Sequence, residues 1–566
     1  MTMTMTNADV QPFPARFFGA SDMSASRRLG VVIGGSLNEG ILVKLDGTTV
    51  IEGVAVGSYV TICGQTSRKY FGLVIDIALD AADSALAKLP APDDDLRLSI
   101  YRGTVAYGIL HVKPMLIQDE RGDVKPVKSI PAHFTVACSA TPEEVRDIFQ
   151  AEEGKAYRIG SSLEDEKIEI KLNLERFVER SSAVFGRSGT GKTFLTLPLL
   201  ARIIQQDLAS VLVFDMHNDY GYTLKGDGKR QFHGLRRLNT IANRICIVSL
   251  DEQSSKARKA AYDFGLKIGY DQIEPEDIEQ LKQVLSLSEV QVNALFALQS
   301  RFGGRWIYKL TSDERDPDID DWIQNGQIAQ GTFNAMQRKL KRLLRMDFLQ
   351  PESAENFIER IIDHLTRGDS VVIEFGRYGN DLPAYVFVAN FLTRRIHERY
   401  VAMKEAAEGG GEEPKPLVIA IEEAHKFLEP DVAGMTIFGT IARELRKYNV
   451  TLLIVDQRPS QIDAEVMSQI GTRITCALSD DKDIAAVFTG VSGASQLRSV
   501  LASLDSKQQA LIMGHAVPMP VVVQTTEYGD AIYAQYTDGS QSRTPEERKT
   551  INSRKLGRRA IDADLV

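Results

Sequence analysis

The run Gly186-Arg187-Ser188-Gly189-Thr190-Gly191-Lys192-Thr193 fills every fixed position of a G-x-x-x-x-G-K-T phosphate loop. It follows the apolar Ala183-Val184-Phe185 and leads into Phe194-Leu195-Thr196-Leu197, the strand–loop–helix setting this chemistry needs. Glycines let the backbone curl so that its N–H groups point inward at phosphate oxygens. A helix starting near Lys192 adds its N-terminal dipole to the same charge. Lys192 can reach the β- and γ-phosphates, and the Thr193 hydroxyl suits Mg²⁺. A chance glycine loop is the competing reading, and the complete pattern in this context disfavours it. The expectation is a site that binds and hydrolyses a nucleoside triphosphate.

A second constellation lies downstream. Leu417-Val418-Ile419-Ala420-Ile421-Glu422-Glu423-Ala424-His425 is an apolar strand ending in two carboxylates. Phosphoryl transfer to water uses one carboxylate for the hydrated metal and one to orient the nucleophile. Glu422 is assigned to the metal shell and Glu423 to polarising the water. The alternative is two acids that merely open a helix, where their charge suits its dipole. Leu452-Leu453-Ile454-Val455-Asp456-Gln457 is another strand, and Gln457 at its end is placed to sense the γ-phosphate or the water. Asp215 and His217 end the strand after the loop's helix. Arg443 and Arg446 share a face of a predicted helix that also carries Lys447. Either could enter a neighbouring subunit's site as an arginine finger, or pair within its own chain with Glu444; Arg473 is a further candidate.

The elements that must position these groups read as several domains, since 566 residues exceed one ordinary domain. Hydrophobic residues at 43% and charged residues at 25% are ordinary for a chain that buries a large core. A net charge of −9 excludes an overall basic footprint for nucleic acid, although basic residues confined to a pore would still bind it. Cys63, Cys138, Cys246 and Cys476 are scattered, which predicts free thiols in a reducing cytoplasm. No signal peptide is read at Met1-Thr2-Met3, and no apolar run approaches the roughly 18 residues of a membrane span. Short β-branched runs between about Arg27 and Val136 predict a small barrel or sandwich. Near-continuous Val/Ile/Leu runs follow, from Ala183-Val184-Phe185 to Ala510-Leu511-Ile512-Met513. With a phosphate loop among them they predict an α/β fold, a RecA-like parallel sheet flanked by helices. Between them, Ile278, Leu281, Val290, Val292, Leu295, Leu298, Leu340 and Leu343 recur at helical spacing. The stretch from Asp538, with Arg543, Arg548, Lys549, Arg554, Lys555, Arg558 and Arg559, reads as a solvated tail or an arm onto a neighbour or DNA.

The ordered set is more specific than its parts. A β segment with Gly-x-Val-Ile-Gly and Tyr-Phe-Gly-Leu-Val precedes the phosphate loop. Phe-Asp-Met-His-Asn-Asp-Tyr, Ile-Glu-Glu-Ala-His, Arg-Glu-Leu-Arg-Lys-Tyr and Asp-Gln-Arg-Pro-Ser follow it. This resembles the HerA family of the HerA/FtsK branch, over about residues 25–525. The resemblance implies an N-terminal barrel over 1–150, for assembly and partner docking. It implies a RecA-like P-loop NTPase core over 151–251 and 368–526, a helical insertion over 252–367 and a C-terminal arm over 527–566. It implies a DNA-dependent ATPase, a translocase or helicase, using ATP and Mg²⁺. A homohexamer would ring double-stranded DNA and work with a NurA-like nuclease or another effector, in DNA-end processing or antiphage defence. By motif, Gly186 to Thr193 hold the nucleotide, Thr193 and Glu422 the metal, and Glu423 is the catalytic carboxylate. Gln457 is the sensor, and Arg443 or Arg446 the trans-acting arginine. Glu422 departs from the family's usual Asp. A scaffold ring that chiefly activates its effector is the alternative function. Candidate DNA contacts are Lys225, Lys229, Arg230, Arg236 and Arg237, or Arg338-Lys339-Leu340-Lys341-Arg342-Leu343-Leu344-Arg345, against the commoner reading of such a basic stretch as a solvated face.

Overall fold

The structure is a computed structural model. It describes residues 27–66, 68–82, 101, 104–119, 121–150, 155–163, 165–226, 230–312, 317–353, 355–434, 436–491, 494–505 and 508–536. Met1 to Met3, Lys229 and the basic run Arg543 to Arg559 lie outside these residues, as do the side chains of Lys225 and Arg446.

Seven strands form the N-terminal sheet: β1 (Arg28–Ser36), β2 (Gly40–Leu45), β3 (Tyr59–Cys63), β4 (Lys69–Ala81), β5 (Ala106–Gln118), β6 (Val124–Pro126) and β7 (Val136–Ser139). Their order is β2-β1-β7-β3-β4-β5-β6, and pairing of β2 with β5 closes six of them into a barrel. Closure removes the free edges that an open sheet would expose. Leu29, Val32, Ile41, Val43, Val60, Val74, Leu110 and Val112 fill the interior. Of the two expected forms, barrel and sandwich, the barrel is what forms. Its strand β5 is hidden in the sequence, because Pro114 argues against a strand. In the structure Pro114 pairs with Gly72, where the β4–β5 register shifts, so the missing N–H falls at an irregularity.

The chain divides into two compact units, Met1–Lys192 with Asp456–Thr526, and Thr193–Val455 with Glu527–Val566. Its further strands of four or more residues among the described ones, in chain order, are β8 (Ala156–Ser162), β9 (Glu169–Asn173), β10 (Ser182–Phe185), β11 (Ser210–Asp215), β12 (Ile245–Ser249), β13 (Ser370–Glu374), β14 (Leu417–Glu422), β15 (Val450–Asp456), β16 (Thr472–Cys476), β17 (Gln509–Gly514) and β18 (Val521–Thr525). In the second unit, β12-β13-β11-β14-β15 run side by side and parallel. Every residue of these strands is buried, which is why they read as unbroken apolar runs rather than as alternation. In the first unit β10 pairs with β16 in parallel. From β16 onward, through β17, β18, β8 and β9, the pairing is antiparallel. The expected parallel sheet is therefore extended here by antiparallel strands. Only His515–Pro520 join β17 to β18, far short of the dozen or so residues a parallel crossover needs.

Between β12 and β13 the second unit is largely helical. Its longer helices are Glu289–Phe302 and Gln330–Leu343, and they bury Val292, Leu295, Leu298, Met336, Leu340 and Leu343. Val290 is 63% exposed and not on the core face. It sits in the first turn, inside the Ser288–Gln291 capping box that sets where this helix begins. Among the described residues no helix is long and apolar enough to cross a membrane. All four cysteines are thiols, and Cys138, Cys246 and Cys476 are buried.

Candidate functional site

In the first unit the phosphate loop leaves β10 and is pinned at its root. Gly186 N donates to Asp456 O (3.3 Å) and Arg187 N to Ala477 O (3.2 Å). A Cβ on Gly186 would lie 2.6 Å from Thr190 Oγ1 and 2.8 Å from Cys476 Cβ, so only glycine fits. Further along, Gly189 and Gly191 take φ of +79° and +92°, with open space beside both. The loop is thus a curl whose inner wall is main chain. Lys192 Nζ bonds Gly186 O (2.8 Å) and Arg187 O (3.2 Å), which holds the ammonium against the curl. Thr190 Oγ1 donates to Arg187 O (2.8 Å). Arg187, Ser188 and Gly189 are exposed; Gly191, Lys192 and Thr193 are half-buried. Gln457, also half-buried, follows the Asp456 whose carbonyl anchors Gly186, so Gln457 and the phosphate loop start from adjoining backbone. Burial pushes the Cys476 thiol behind the loop up to about 11, which keeps it inert.

In the second unit, register aligns a set of acids. Asp215 pairs with Glu374 across β11 and β13, and Phe214 with Ile421 across β11 and β14. Asp215, Glu374 and Glu422 therefore stand together at the C-terminal tips of neighbouring strands, all buried. Asp215 accepts from the main-chain N–H of Asp219 (2.8 Å), Tyr220 (2.8 Å) and Gly221 (3.3 Å), folding the following loop back over the tip. Glu374 pairs with Arg258 (2.7 Å). Burial, and then the neighbouring Glu374, pushes Asp215 up to about 7. Burial with Asp215 and Asp219 raises Glu422 well above the carboxylate range. Glu374 is raised by burial against the pull of Arg258. Crowded, dry carboxyls of this kind keep protons until a cation arrives. The Tyr220 phenol faces the Glu422 carboxyl, yet neither it nor Glu422 Oε2 closes a hydrogen bond in the protein. A hard divalent cation suits such an orphaned carboxylate oxygen, so Glu422 fits its expected metal role despite its extra methylene.

Glu423 is different. It is half-buried, and its φ is +49°, a left-handed conformation that a glutamate rarely takes. Its carbonyl accepts from Lys426 N (3.0 Å). His425 Nδ1 stands 3.6 Å from its carboxylate. The short helix begins only at His425; a residue that merely opened a helix would need no such conformation.

The arginines separate. Arg443, on the helix Ile437–Glu444, donates Nε to Gly439 O (3.1 Å) and Nη2 to Ala433 O (3.2 Å), within its own chain. Arg473 is 2% exposed, and its guanidinium is held by the carbonyls of Met467, Val487 and Thr489. It has no reach toward a neighbour. His217 is exposed in the loop after Asp215. Of the basic segments, Arg236 is tied to Asp263 (3.1 Å), Arg237 lies over the Tyr222 ring and Arg230 over Phe232. Lys339 bonds Gln291 Oε1 (3.1 Å) and Ser286 O. By contrast Arg338, Arg342 and Arg345 are exposed, without an ion pair or hydrogen bond among the described residues.

Residues 157–396 match the family described as "Helicase HerA, central domain". The DNA double-strand break repair helicase HerA of Saccharolobus solfataricus is 27% identical over 433 residues, which cover 71% of this chain and 73% of that protein. The protein of the same description from Sulfolobus acidocaldarius is 25% identical over 422 residues, covering 72% and 74%. Over about seven-tenths of its length the chain is similar to HerA helicases, and its residues 157–396 carry the HerA central domain. Among solved structures, VirB4 of Thermoanaerobacter pseudethanolicus aligns with a TM-score of 0.43 and 11% identity, over 68% of this chain and 99% of that one. Plasmid coupling protein TrwB in complex with ADP and Mg²⁺ aligns at 0.42 and 12%, over 68% and 93%. With a HerA central domain and a complete phosphate loop, the chain is a nucleotide-binding, ATP-hydrolysing enzyme.

Sequence reasoning misses three groups at the acid tip of this HerA-like ATPase. Tyr220 closes the Phe-Asp-Met-His-Asn-Asp-Tyr motif, in which sequence alone gives it no chemistry. Glu374 ends an apolar strand, the same signal that exposes Glu422. Tyr385 lies in the helix Leu382–Glu408, and nothing in its sequence surroundings marks it.

Proposed function

We propose that this protein moves along double-stranded DNA by ATP hydrolysis, as a cytoplasmic homohexameric ring. A partner nuclease or other effector would dock on its N-terminal barrel, in DNA-end processing or antiphage defence. An ATP-driven DNA translocase is the function its family relationship supports. Main-chain N–H groups from Gly186 to Gly191 and the Lys192 ammonium bind the phosphates. Mg²⁺, held by Thr193 and Glu422, would neutralise charge between the β- and γ-phosphates. Glu423 orients the attacking water and accepts its proton, and Gln457 senses the γ-phosphate. Arg443, which is exposed and bonded to carbonyls of its own chain, or Arg446 acts in trans, worth roughly 10³–10⁵ in rate where such a finger operates. Arg338, Arg342 and Arg345 contact DNA phosphates. They recur at i, i+4 and i+7, and lie unpaired among the described residues on a chain of net charge −9.

The observation that carries this reading is the tip of β14. There a glutamate with an orphaned oxygen is followed at once by one in a strained conformation. The test is steady-state ATP turnover of the purified ring with and without duplex DNA. Stimulation by duplex is expected. Turnover indifferent to DNA, in the presence of the partner as well, overturns the translocase reading.

A further inference from the structure

We propose that Tyr385 is a positioning residue for ATP hydrolysis: its phenol locks the peptide unit joining Glu422 to Glu423 and so holds Glu423 in its left-handed conformation. The inference rests on the reading of Glu423 as the group that readies water.

A glutamate at φ +49° is a standing cost, of a kind that persists only where the surroundings over-determine it. The relaxed alternative is reached by rotating the peptide plane between residues 422 and 423. That rotation swings the Glu422 carbonyl away from its present direction. Tyr385 OH donates to that carbonyl at 2.8 Å. Relaxation would break the bond and leave a buried hydroxyl and a buried carbonyl unsatisfied together. The main-chain bond from Lys426 N to Glu423 O closes the other side of the residue. The strained residue is thus fastened before and after.

The phenol is itself well fixed. Tyr385 is fully buried in the first turn of its helix, where Asp381 caps Ala384 N at 3.0 Å. Its ring meets Phe375 edge-on at 4.9 Å, and Phe427 at 5.2 Å. Phe375 directly follows Glu374, and Phe427 lies in the short helix after Glu423. One side chain therefore ties together the ends of β13 and β14 and the turn that carries the water-activating carboxylate. Burial, with Glu422 and Glu423 nearby, holds the phenol well above its ordinary range, so it remains a donor at any working pH.

Tyr385→Phe in the full-length protein keeps the ring and removes only the donor. We expect kcat for ATP to fall about 10- to 100-fold, the scale of a misplaced catalytic group. Affinity for a non-hydrolysable ATP analogue should stay within about two-fold, which also reports that the variant is folded. The deciding measurement is the double variant with Glu423→Gln, under single-turnover conditions. Acting through Glu423, Tyr385→Phe should have little further effect in that background. An unchanged kcat in the single variant overturns the proposal. So does a matching loss of analogue affinity, or an equal fold-loss added to Glu423→Gln. If Glu423→Gln alone turns over like the parent, it is the assignment of Glu423 that fails, and that result is read independently of Tyr385.

Discussion

At the phosphate loop, recognition of charge is carried by main chain. Glycines that tolerate crowding or positive φ form the curl, and even Lys192 is parked on carbonyls of the loop itself. At the tip of β14 it is carried by side chains drawn from three strands. Their carboxyls are dry and crowded enough to be pushed toward neutrality. The loop is preorganised by local geometry. The tip is preorganised only by tertiary contacts, and it stores strain at Glu423. The first kind of site survives any fold that presents a strand and a helix. The second exists only when distant segments arrive in register.

The largest expected effects separate the two. Lys192→Ala should lose both nucleotide affinity and turnover, the latter by about 10²–10³. Glu423→Gln should lose turnover by about 10²–10⁴ and keep nucleotide. Measuring analogue binding beside single-turnover hydrolysis splits them. If Glu423→Gln also fails to bind, the tip is shaping the phosphate cradle and the contrast dissolves.

The same contrast explains what is legible in the sequence. Gly186 to Thr193 are contiguous, so their spacing alone announces them. Glu422 and Glu423 are visible because acids rarely end so apolar a strand. Glu374 carries the same mark but has no acidic neighbour to draw attention to it; only the Asp215–Glu374 register makes it part of the cluster. Tyr385 contacts Glu422 across 37 residues of sequence, and no local pattern encodes that meeting. Most strands are legible as apolar runs. The antiparallel turn-back after β16 is not, because it depends on the brevity of connections rather than on strand composition.

The acid tip makes a prediction about pH. Asp215 titrates near 7 in the folded protein, against about 3.9 in an unfolded chain. A raised carboxyl binds its proton more tightly when folded. Its stabilisation is full below about pH 4 and is lost as pH climbs through 7. Glu422 and Glu374 are shifted in the same direction. Thermal unfolding should therefore come at lower temperature as pH rises from 5 to 8, and Asp215→Asn should flatten that slope. An equal or steeper slope in the variant would mean the tip ionises without strain. The loop has no comparable group, so Lys192→Ala should leave the slope as it is.

Gly186→Ala probes the loop as the pH series probes the tip. The added methyl meets Thr190 Oγ1 at 2.6 Å and Cys476 Cβ at 2.8 Å. Crowding of this kind costs about 1–3 kcal/mol. Lower unfolding temperature and weaker analogue binding are expected together, because the same atoms shape the cradle. Normal binding in a destabilised variant would show that the cradle does not depend on its root.

The smallest effects are expected where charge is neither main-chain nor buried. Arg338, Arg342 and Arg345 sit on or just beyond a helix whose other face packs Met336, Leu340 and Leu343. Exposed charges act additively and are screened by salt, unlike the carboxyls of the tip. Each substitution by alanine should weaken duplex binding about equally for every sequence. Each should also lower the slope of log affinity against log salt by about one. Hydrolysis without DNA should be unchanged, since these side chains hold no contact that the motor needs. A substitution that leaves the salt slope intact returns this face to solvent. One that alters DNA-free turnover instead would mean that the insertion speaks to the acid tip directly, and that the side-chain site is larger than its three strands.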